Sequence, residues 1–210
     1  KLKIVNRLNK NNKSKTLLDI GCGTGEFLNI CKNNKWDVVG LEPNQTAREY
    51  AINNYNLDIH NITDMPKLPE NYFQIITLWH VLEHIDNISN TIEHIKRLLN
   101  TTGYLIIAVP NPNSYDATIY KEYWAGYDVP RHLYHFTPQV IEKILKNFQF
   151  TLFNTLPMPF DAYYISLLSE KYKTGKYNFL HSIYNGFLSN IDAIKKNKNF
   201  SSQIYIFKHS

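Results

Sequence analysis

Short apolar runs alternate with amphipathic segments along the first 110 positions of the chain. Runs of aliphatic and β-branched residues predict strands over 15–20, 36–41, 57–62, 72–79 and 104–109. Apolar residues spaced three or four positions apart predict helices over 25–33, 46–54 and 88–99. Strands that alternate with helices in this way indicate right-handed βαβ units and therefore a parallel sheet.

The pattern changes after position 110. Residues 64–70 and 111–130 are expected to be loops, the second of them long and rich in Tyr and Trp. A helix is predicted over 137–147, with Thr137 as its N-cap and Pro138 at its first position. We expect strands over 148–154 and 202–208, with a mostly helical segment over 157–200 between them. No linker divides residues 1–210, so we expect one domain.

Composition and charge limit the function classes. The chain is 43% hydrophobic and 20% charged, which is enough apolar material for a packed core. The formal net charge is +5, but the basic residues are scattered, so a nucleic-acid partner is not favoured. With two cysteines, Cys22 and Cys31, and no apolar run near 18 residues, we expect a cytoplasmic protein without a membrane span.

A glycine-rich loop follows the first strand. Gly21, Gly23 and Gly25 alternate with other residues, and Asp19 lies two positions before the first glycine. Glycines allow a ligand to approach the backbone closely. Nicotinamide dehydrogenases use a different spacing, G-x-G-x-x-G, around a pyrophosphate. Glu42 ends the next strand about twenty residues later, where an acid can accept the hydroxyls of a ribose.

These residues resemble motif I of the class I S-adenosylmethionine-dependent methyltransferases. The resemblance covers residues 15–110, including the segment 62–65 and the segment 79–85, Trp-His-Val-Leu-Glu-His-Ile, after the fourth strand. Residues 124–137 are similar to a segment of the broad methyltransferase 23 and 11 group. The resemblance implies an α/β fold: a doubly wound, Rossmann-like seven-stranded sheet in the order 3-2-1-4-5-7-6, with the last strand antiparallel and a helical insertion before it.

The resemblance also implies a site for S-adenosyl-L-methionine, with S-adenosyl-L-homocysteine as the product. Residues 15–110 would form the donor-binding half, 111–147 the acceptor side, and 157–200 a cap. Asp64 is expected to accept a hydrogen bond from the adenine amino group, with Met65 on the ring. The residues expected to contact the donor are Asp19, Gly21, Cys22, Gly23, Gly25, Phe27, Glu42, Pro43, Asp64, Met65, Leu78 and His80.

Three histidines, His132, His135 and His84, are candidates for the general base that an oxygen or nitrogen acceptor would need. Arg131 could clamp an anionic acceptor or form an ion pair with Asp128. Ubiquinone-pathway O-methyltransferases hold a cation with Glu-x-x-Glu-His. Here the first acid is replaced by histidine, at position 80, and we expect no metal.

Three other interpretations remain open. The chain could be a nicotinamide oxidoreductase, a donor-binding module without catalysis, or a methyltransferase acting on RNA. We favour methyl transfer by in-line displacement onto a small-molecule acceptor whose identity the sequence does not indicate. The protein is expected to be a monomer or a homodimer.

Overall fold

A seven-stranded sheet forms the centre of the protein in a computed structural model that describes residues 1–12, 14–196 and 198–210. Its order is β3-β2-β1-β4-β5-β7-β6, as predicted. The strands β1 to β5 are parallel to one another, whereas β7 runs antiparallel to both β5 and β6. The strands are β1 Thr16–Ile20, β2 Asp37–Leu41, β3 Asp58–His60, β4 Phe73–Trp79, β5 Leu99–Pro110, β6 Phe150–Pro157 and β7 Ser202–His209.

Helices cover both faces of this sheet. They are α1 Leu2–Leu8, α2 Glu26–Asn33, α3 Gln45–Tyr55, α4 Ile88–Leu98, α5 Tyr115–Tyr120, α6 Pro138–Asn147, α7 Asp161–Thr174 and α8 Phe179–Lys195. Every residue of β1 and β4 is buried, as expected for central strands of a doubly covered parallel sheet. Among the described residues, none of the helices combines the length and apolar character needed to cross a bilayer.

The hydrophobic core has two layers, one on each face of the sheet. Successive side chains of a strand point to opposite faces, so Leu18 and Leu17 of β1 belong to different layers. Leu18 packs in the layer that includes Ile92 of α4 and Ile141 of α6. Leu17 packs in the layer of α1, α2 and α3. The carboxyl ends of β1, β2 and β4 therefore meet at one edge of a rigid sheet, where the loops that follow them form a common surface.

Two helices lie where the sequence analysis expected none. The sequence analysis did not predict helix α1. This helix has seven residues and buries only Val5 fully, so it lacks the repeated apolar positions of a core-facing helix. The long loop expected over 111–130 is wrong in part, since it contains α5 and two short 3-10 helices. Ser114 begins α5 by accepting a hydrogen bond from the backbone N–H of Ala117 at 3.3 Å. A six-residue helix is too short to produce a clear hydrophobic period.

The predicted helix after Thr137 is confirmed. The Thr137 side chain accepts a hydrogen bond from the N–H of Val140 at 3.3 Å, and Pro138 is the first helical residue. The largely helical character of residues 157–200 is also confirmed by α7 and α8. These two helices pack as an antiparallel hairpin and, with α5, cover the end of the sheet where β4 and β5 finish.

Candidate active site

The loop between β1 and α2 has the backbone geometry that its glycines permit. Gly21, Gly23 and Gly25 have φ angles of 70°, 56° and 82°, in the left-handed region that favours glycine. The N–H groups of Gly21 and Cys22 both donate to the carbonyl of Leu41, at 2.7 and 3.1 Å. The loop is therefore fixed to the end of β2. A Cβ atom at Gly23 would meet no atom within 4 Å, so the space beside Gly23 is open, and we call this space the cleft.

The carboxylate of Glu42 forms one side of this cleft. It is only 9% exposed, and its two oxygens accept hydrogen bonds from the N–H groups of Gly23 and Asn44, each at 2.9 Å. Arg48 donates to the backbone carbonyl of Glu42 at 2.8 Å and holds the strand end in place. Each carboxylate oxygen keeps a further lone pair, so Glu42 can accept hydroxyl groups of a ligand.

Asp19 lies beneath the glycine loop. Its carboxylate accepts a hydrogen bond from the Thr77 hydroxyl at 2.5 Å. Burial raises the pKa of Asp19 to about 7, and the hydrogen bond from Thr77 opposes that rise only in part. A buried carboxylate with a raised pKa is stabilised by an adjacent cation, so the cleft favours a positively charged ligand.

Two aromatic rings also favour a cation at this position. The ring of Phe27 contacts the ring of Trp79 edge to face, with centroids 5.7 Å apart. The ammonium of Lys1 lies over both rings, 4.7 Å from the Trp79 centroid and 5.6 Å from that of Phe27, and it interacts electrostatically with Asp19. A cation thus already occupies this position, as expected where aromatic faces and a carboxylate converge. The residues present fit a ligand that carries an ammonium and a sulfonium.

Other residues expected at the donor vary in exposure. Pro43 is exposed beside Glu42, and Cys22 is partly buried in the loop, where burial raises the pKa of its thiol. Leu78 is fully buried and Met65 is 4% exposed, both within the core layer that contains α4. Their contacts with the donor stay predictions.

The expected surroundings of Asp64 are corrected by the structure. The third strand ends at His60 rather than at Ile62, because Asn61 caps a 3-10 helix over Ile62–Lys67 in place of the expected loop. Asp64 therefore lies in the first turn of that helix, where it pairs with Lys67 at 2.7 Å. Its contact with adenine stays a prediction, for which Oδ2 is the oxygen that Lys67 does not contact.

A cavity of about 300 Å³ lies beside the end of β4. Trp79 ends β4 and packs against Phe27 under the Lys1 ammonium, whereas the next residue, His80, lines the cavity. Two exposed tyrosines of α7 form part of its wall. The polar and aromatic lining comprises His80, Asp128, Arg131, His132, Asp161, Tyr164 and Tyr172.

His80 is charged at neutral pH. Its Nε2 lies 3.1 Å from Asp161 Oδ2, and its Nδ1 lies 3.5 Å from Glu83 Oε1. Burial opposes protonation of His80, but the two carboxylates outweigh that effect and raise its pKa to about 9. A backbone φ of 58° turns the side chain away from the sheet and toward the cavity. His80 thus forms an ion pair at the wall of the cavity, and its expected contact with the donor stays a prediction.

His132 has the properties of a base. Its Nδ1 lies 2.9 Å from the carbonyl oxygen of Gly126, which can only accept, so Nδ1 carries the proton and Nε2 keeps a lone pair. Burial lowers its pKa, so the neutral form predominates at neutral pH. Glu83 and Asp128 lie 3.9 and 3.7 Å from Nε2, where they can stabilise the imidazolium formed after proton uptake.

The other two candidate bases lie outside the cavity lining. His135 is exposed, and its Nε2 lies 3.0 Å from the carbonyl of Tyr127. His84 contacts the edge of the His132 ring, with centroids 4.7 Å apart, and its Nδ1 donates to the Arg131 carbonyl at 2.9 Å. The structure therefore brings His84 next to His132 but leaves His135 at the periphery. A catalytic role for either stays a prediction.

Three of these groups could together hold a divalent metal ion. Ligand atoms of Glu83, His84 and His132 lie within 4.8 Å of one another. Both carboxylate oxygens of Glu83 are buried and lack a hydrogen-bond partner among the described residues. Imidazole and carboxylate are ligands for Zn²⁺ and Fe²⁺. The expectation of no metal is untested.

The sequence analysis missed several residues of this site. Neither Asp161 nor Thr77 belongs to a sequence motif. Asp161 contacts His80 and Thr77 contacts Asp19, and both partners are distant in sequence. Arg131 forms the alternative ion pair considered for it, with Asp128 at 2.6 Å. A larger cavity, of about 500 Å³, lies between α6, β6 and residues 198–200. It contains none of the candidate histidines, whereas His132 lines the smaller cavity.

Comparison with known families identifies the kind of domain. The model of a family described as a methyltransferase domain matches residues 2–154, which is most of the chain. The match includes the glycine loop, Glu42 and the segment that carries His132.

Individual relatives are more distant. The chain is 30% identical over 105 residues to an uncharacterised protein of Methanocaldococcus jannaschii, covering 50% of this chain and 45% of that protein. It is 26% identical over 102 residues to a ubiquinone biosynthesis O-methyltransferase of Rhodopseudomonas palustris, covering 46% and 40%. The chain thus matches less than half the length of these curated relatives.

Among solved structures, an S-adenosylmethionine-dependent methyltransferase from Archaeoglobus fulgidus shares the fold. The TM-score is 0.61 at 19% identity, and the alignment covers 99% of this chain and 93% of that one. At this identity the likeness concerns the fold alone.

Proposed function

Because the chain belongs to the methyltransferase-domain family, we propose that it transfers a methyl group from S-adenosyl-L-methionine to a small molecule bound beside His132. One observation carries the proposal. Adjacent residues at the end of β4 face two different spaces: Trp79 faces the cation-binding cleft and His80 faces the cavity. A donor in the cleft and an acceptor in the cavity would therefore meet at this point, which is the proximity that methyl transfer requires.

The bound donor supplies a methyl group on a positively charged sulfur. Glu42 would hold the ribose hydroxyls, and Asp19 would compensate the positive charge of the donor. The lone pair of the acceptor oxygen or nitrogen forms the new bond to the methyl carbon as the bond from carbon to sulfur breaks. The acceptor proton passes to Nε2 of His132, which is neutral and unprotonated at that atom.

The size and lining of the cavity support a small acceptor. A volume of about 300 Å³ lies at the lower end of the range for small-molecule sites. Protonated His80 and the aromatic rings of Tyr164 and Tyr172 would favour a flat acceptor with a partial negative charge, such as a phenol. RNA methylation is the alternative, and the net charge of +5 is its main support. The unpaired cysteines Cys22 and Cys31 fit a reducing compartment, and we propose the cytoplasm.

Two measurements test the proposal. Calorimetry should detect S-adenosyl-L-homocysteine binding to the protein and little binding of a nicotinamide dinucleotide. Radiolabelled donor incubated with a panel of phenols, amines and RNA should label a small acceptor.

Replacing His132 with Gln should lower the rate of transfer to an O–H or N–H acceptor by about 100-fold or more without changing donor affinity. His135→Gln is the matched control and should retain the rate. The proposal fails if the donor does not bind. Labelling of RNA alone would support the alternative acceptor, and equal losses in both histidine variants would remove His132 from its role.

A further inference from the structure

Helix α8 presents its polar face to the protein and its apolar face to solvent. Three polar side chains on its inner face hold the helix in this orientation. Asn185 donates to the Tyr120 hydroxyl at 2.8 Å, Ser189 donates to Asp116 at 2.6 Å, and Asn190 donates to a backbone carbonyl at 2.9 Å. The outward position of the apolar residues is thus imposed by buried hydrogen bonds.

The outer face of α8 is a continuous apolar stripe. Four of its residues recur within positions 180–187, and Ile194 follows two turns later, so they lie on one side of the helix over about 20 Å. Their exposure ranges from 52% to 84%, which is unusual for a set of large aliphatic and aromatic side chains. The stripe consists of Leu180, Ile183, Tyr184, Phe187 and Ile194.

Lysines surround both ends of the stripe. Lys171, Lys173 and Lys176 are exposed at the turn between α7 and α8, and Lys195 and Lys196 are exposed at the far end. Of the three acids in residues 157–200, Asp192 alone neutralises one of these five lysines. Asp161 pairs with His80, and Glu170 is buried against Tyr120 and His181. Asp192 already forms an ion pair with Lys196.

The distribution of the lysines indicates which kind of partner this face binds. The spacing of the stripe would also suit helix pairing with a second copy of the chain. In a parallel pair, however, each lysine cluster would meet its own copy, and in an antiparallel pair each would meet the other cluster. Both arrangements place like charges together. An anionic surface instead attracts both clusters while the apolar side chains between them leave water.

We propose that the α7–α8 hairpin is a docking surface for anionic lipid membranes, with the α8 stripe inserted among the lipids and the lysines at the headgroups. The inference concerns a surface and does not depend on the proposed methyl transfer. Docking would also bring lipid close to the acceptor cavity, because Tyr164 and Tyr172 on α7 line that cavity and are 64% and 49% exposed.

Vesicle flotation tests the proposal with the whole chain. We expect binding to vesicles that contain phosphatidylglycerol and weak binding to pure phosphatidylcholine. The double variant Leu180→Gln, Ile183→Gln should lower the partition coefficient about tenfold or more. Lys173→Gln and Lys176→Gln should lower it roughly fivefold each.

A control uses Ile52→Gln and Val140→Gln, because both are exposed apolar residues on other helices, at 41% and 43%. This variant should bind vesicles as the unaltered protein does, and circular dichroism should show all variants folded. Absence of binding to anionic vesicles, or an equal loss in the control, would overturn the proposal. So would a dimer in sedimentation that Leu180→Gln and Ile183→Gln dissociate, since a second copy would then cover the stripe.

Discussion

Nε2 of His80 lies 3.1 Å from Oδ2 of Asp161, and this ion pair joins the end of β4 to the first turn of α7. His80 follows a strand of the central sheet, and Asp161 begins the α7–α8 hairpin. The contact therefore fixes the wall of the cavity relative to the end of the donor cleft. It also makes the stability of this junction depend on the protonation of one histidine.

The first prediction concerns stability and pH. The pKa of His80 rises from 6.5 to about 9 on folding, so its pairing contributes stability that is fully present below pH 6.5 and is lost as pH rises through 9. Because the side chain is partly exposed, we expect a loss of about 1 kcal/mol in the free energy of unfolding over that range. Urea titrations at several pH values measure it.

Asn is the suitable replacement for His80, since it tolerates the φ of 58°. The His80→Asn variant should lose this part of the pH dependence. His60→Gln is the control, because His60 pairs with Asp58 at the surface and should leave the slope unchanged. A slope that persists in His80→Asn would contradict the assignment.

Donor binding should depend on the ionisation of Asp19. The pKa of this residue is about 7 in the free protein, and a cationic ligand stabilises its ionised form. The affinity for S-adenosyl-L-homocysteine, whose amino group is charged, should therefore fall by up to about tenfold per pH unit below pH 7. Calorimetry between about pH 5.5 and 7.5 measures this. Asp19→Asn should bind weakly at every pH, and a retained slope in that variant would assign the effect to another group.

The open space at Gly23 should be occupied by the donor. A Cβ atom at Gly23 or at Gly175 would meet no atom within 4 Å, and both glycines have positive φ. Alanine at either position should therefore cost about 1–2 kcal/mol of backbone strain. Only Gly23→Ala should also weaken S-adenosyl-L-homocysteine binding, by about tenfold or more. Similar affinities in the two folded variants would show that the donor lies elsewhere.

Zinc should compete with the proposed base. Glu83, His84 and His132 offer three ligand atoms, and coordination would occupy the Nε2 lone pair of His132. We expect Zn²⁺ to inhibit methyl transfer and a chelator to restore it. His84→Gln should weaken zinc binding about tenfold or more, whereas His135→Gln should not. Inhibition that is equally strong in His84→Gln would place the zinc at a different site.

The donor half was largely predictable because its signals are local. Asp19 and the three glycines lie within seven consecutive positions, and the loop they form depends mainly on the backbone freedom of glycine. The strand order followed from the family resemblance and is confirmed. The bounds of β3 were wrong because capping by Asn61, a local hydrogen bond, outweighed the apolar character of Ile62.

The tertiary structure, and not the sequence, distinguishes the three candidate histidines. His132, His135 and His84 are equivalent candidates in sequence, and only packing shows that His132 lines the cavity with a free Nε2. Tertiary contacts also decide which face of α8 points to solvent. By itself, the sequence determined most strands and helices and, through the family resemblance, the ligand class, because periodicity and glycine spacing act over a few residues. Tertiary structure decided which side chains share a cavity and which apolar face stays exposed, because these depend on contacts between distant segments such as His80 with Asp161.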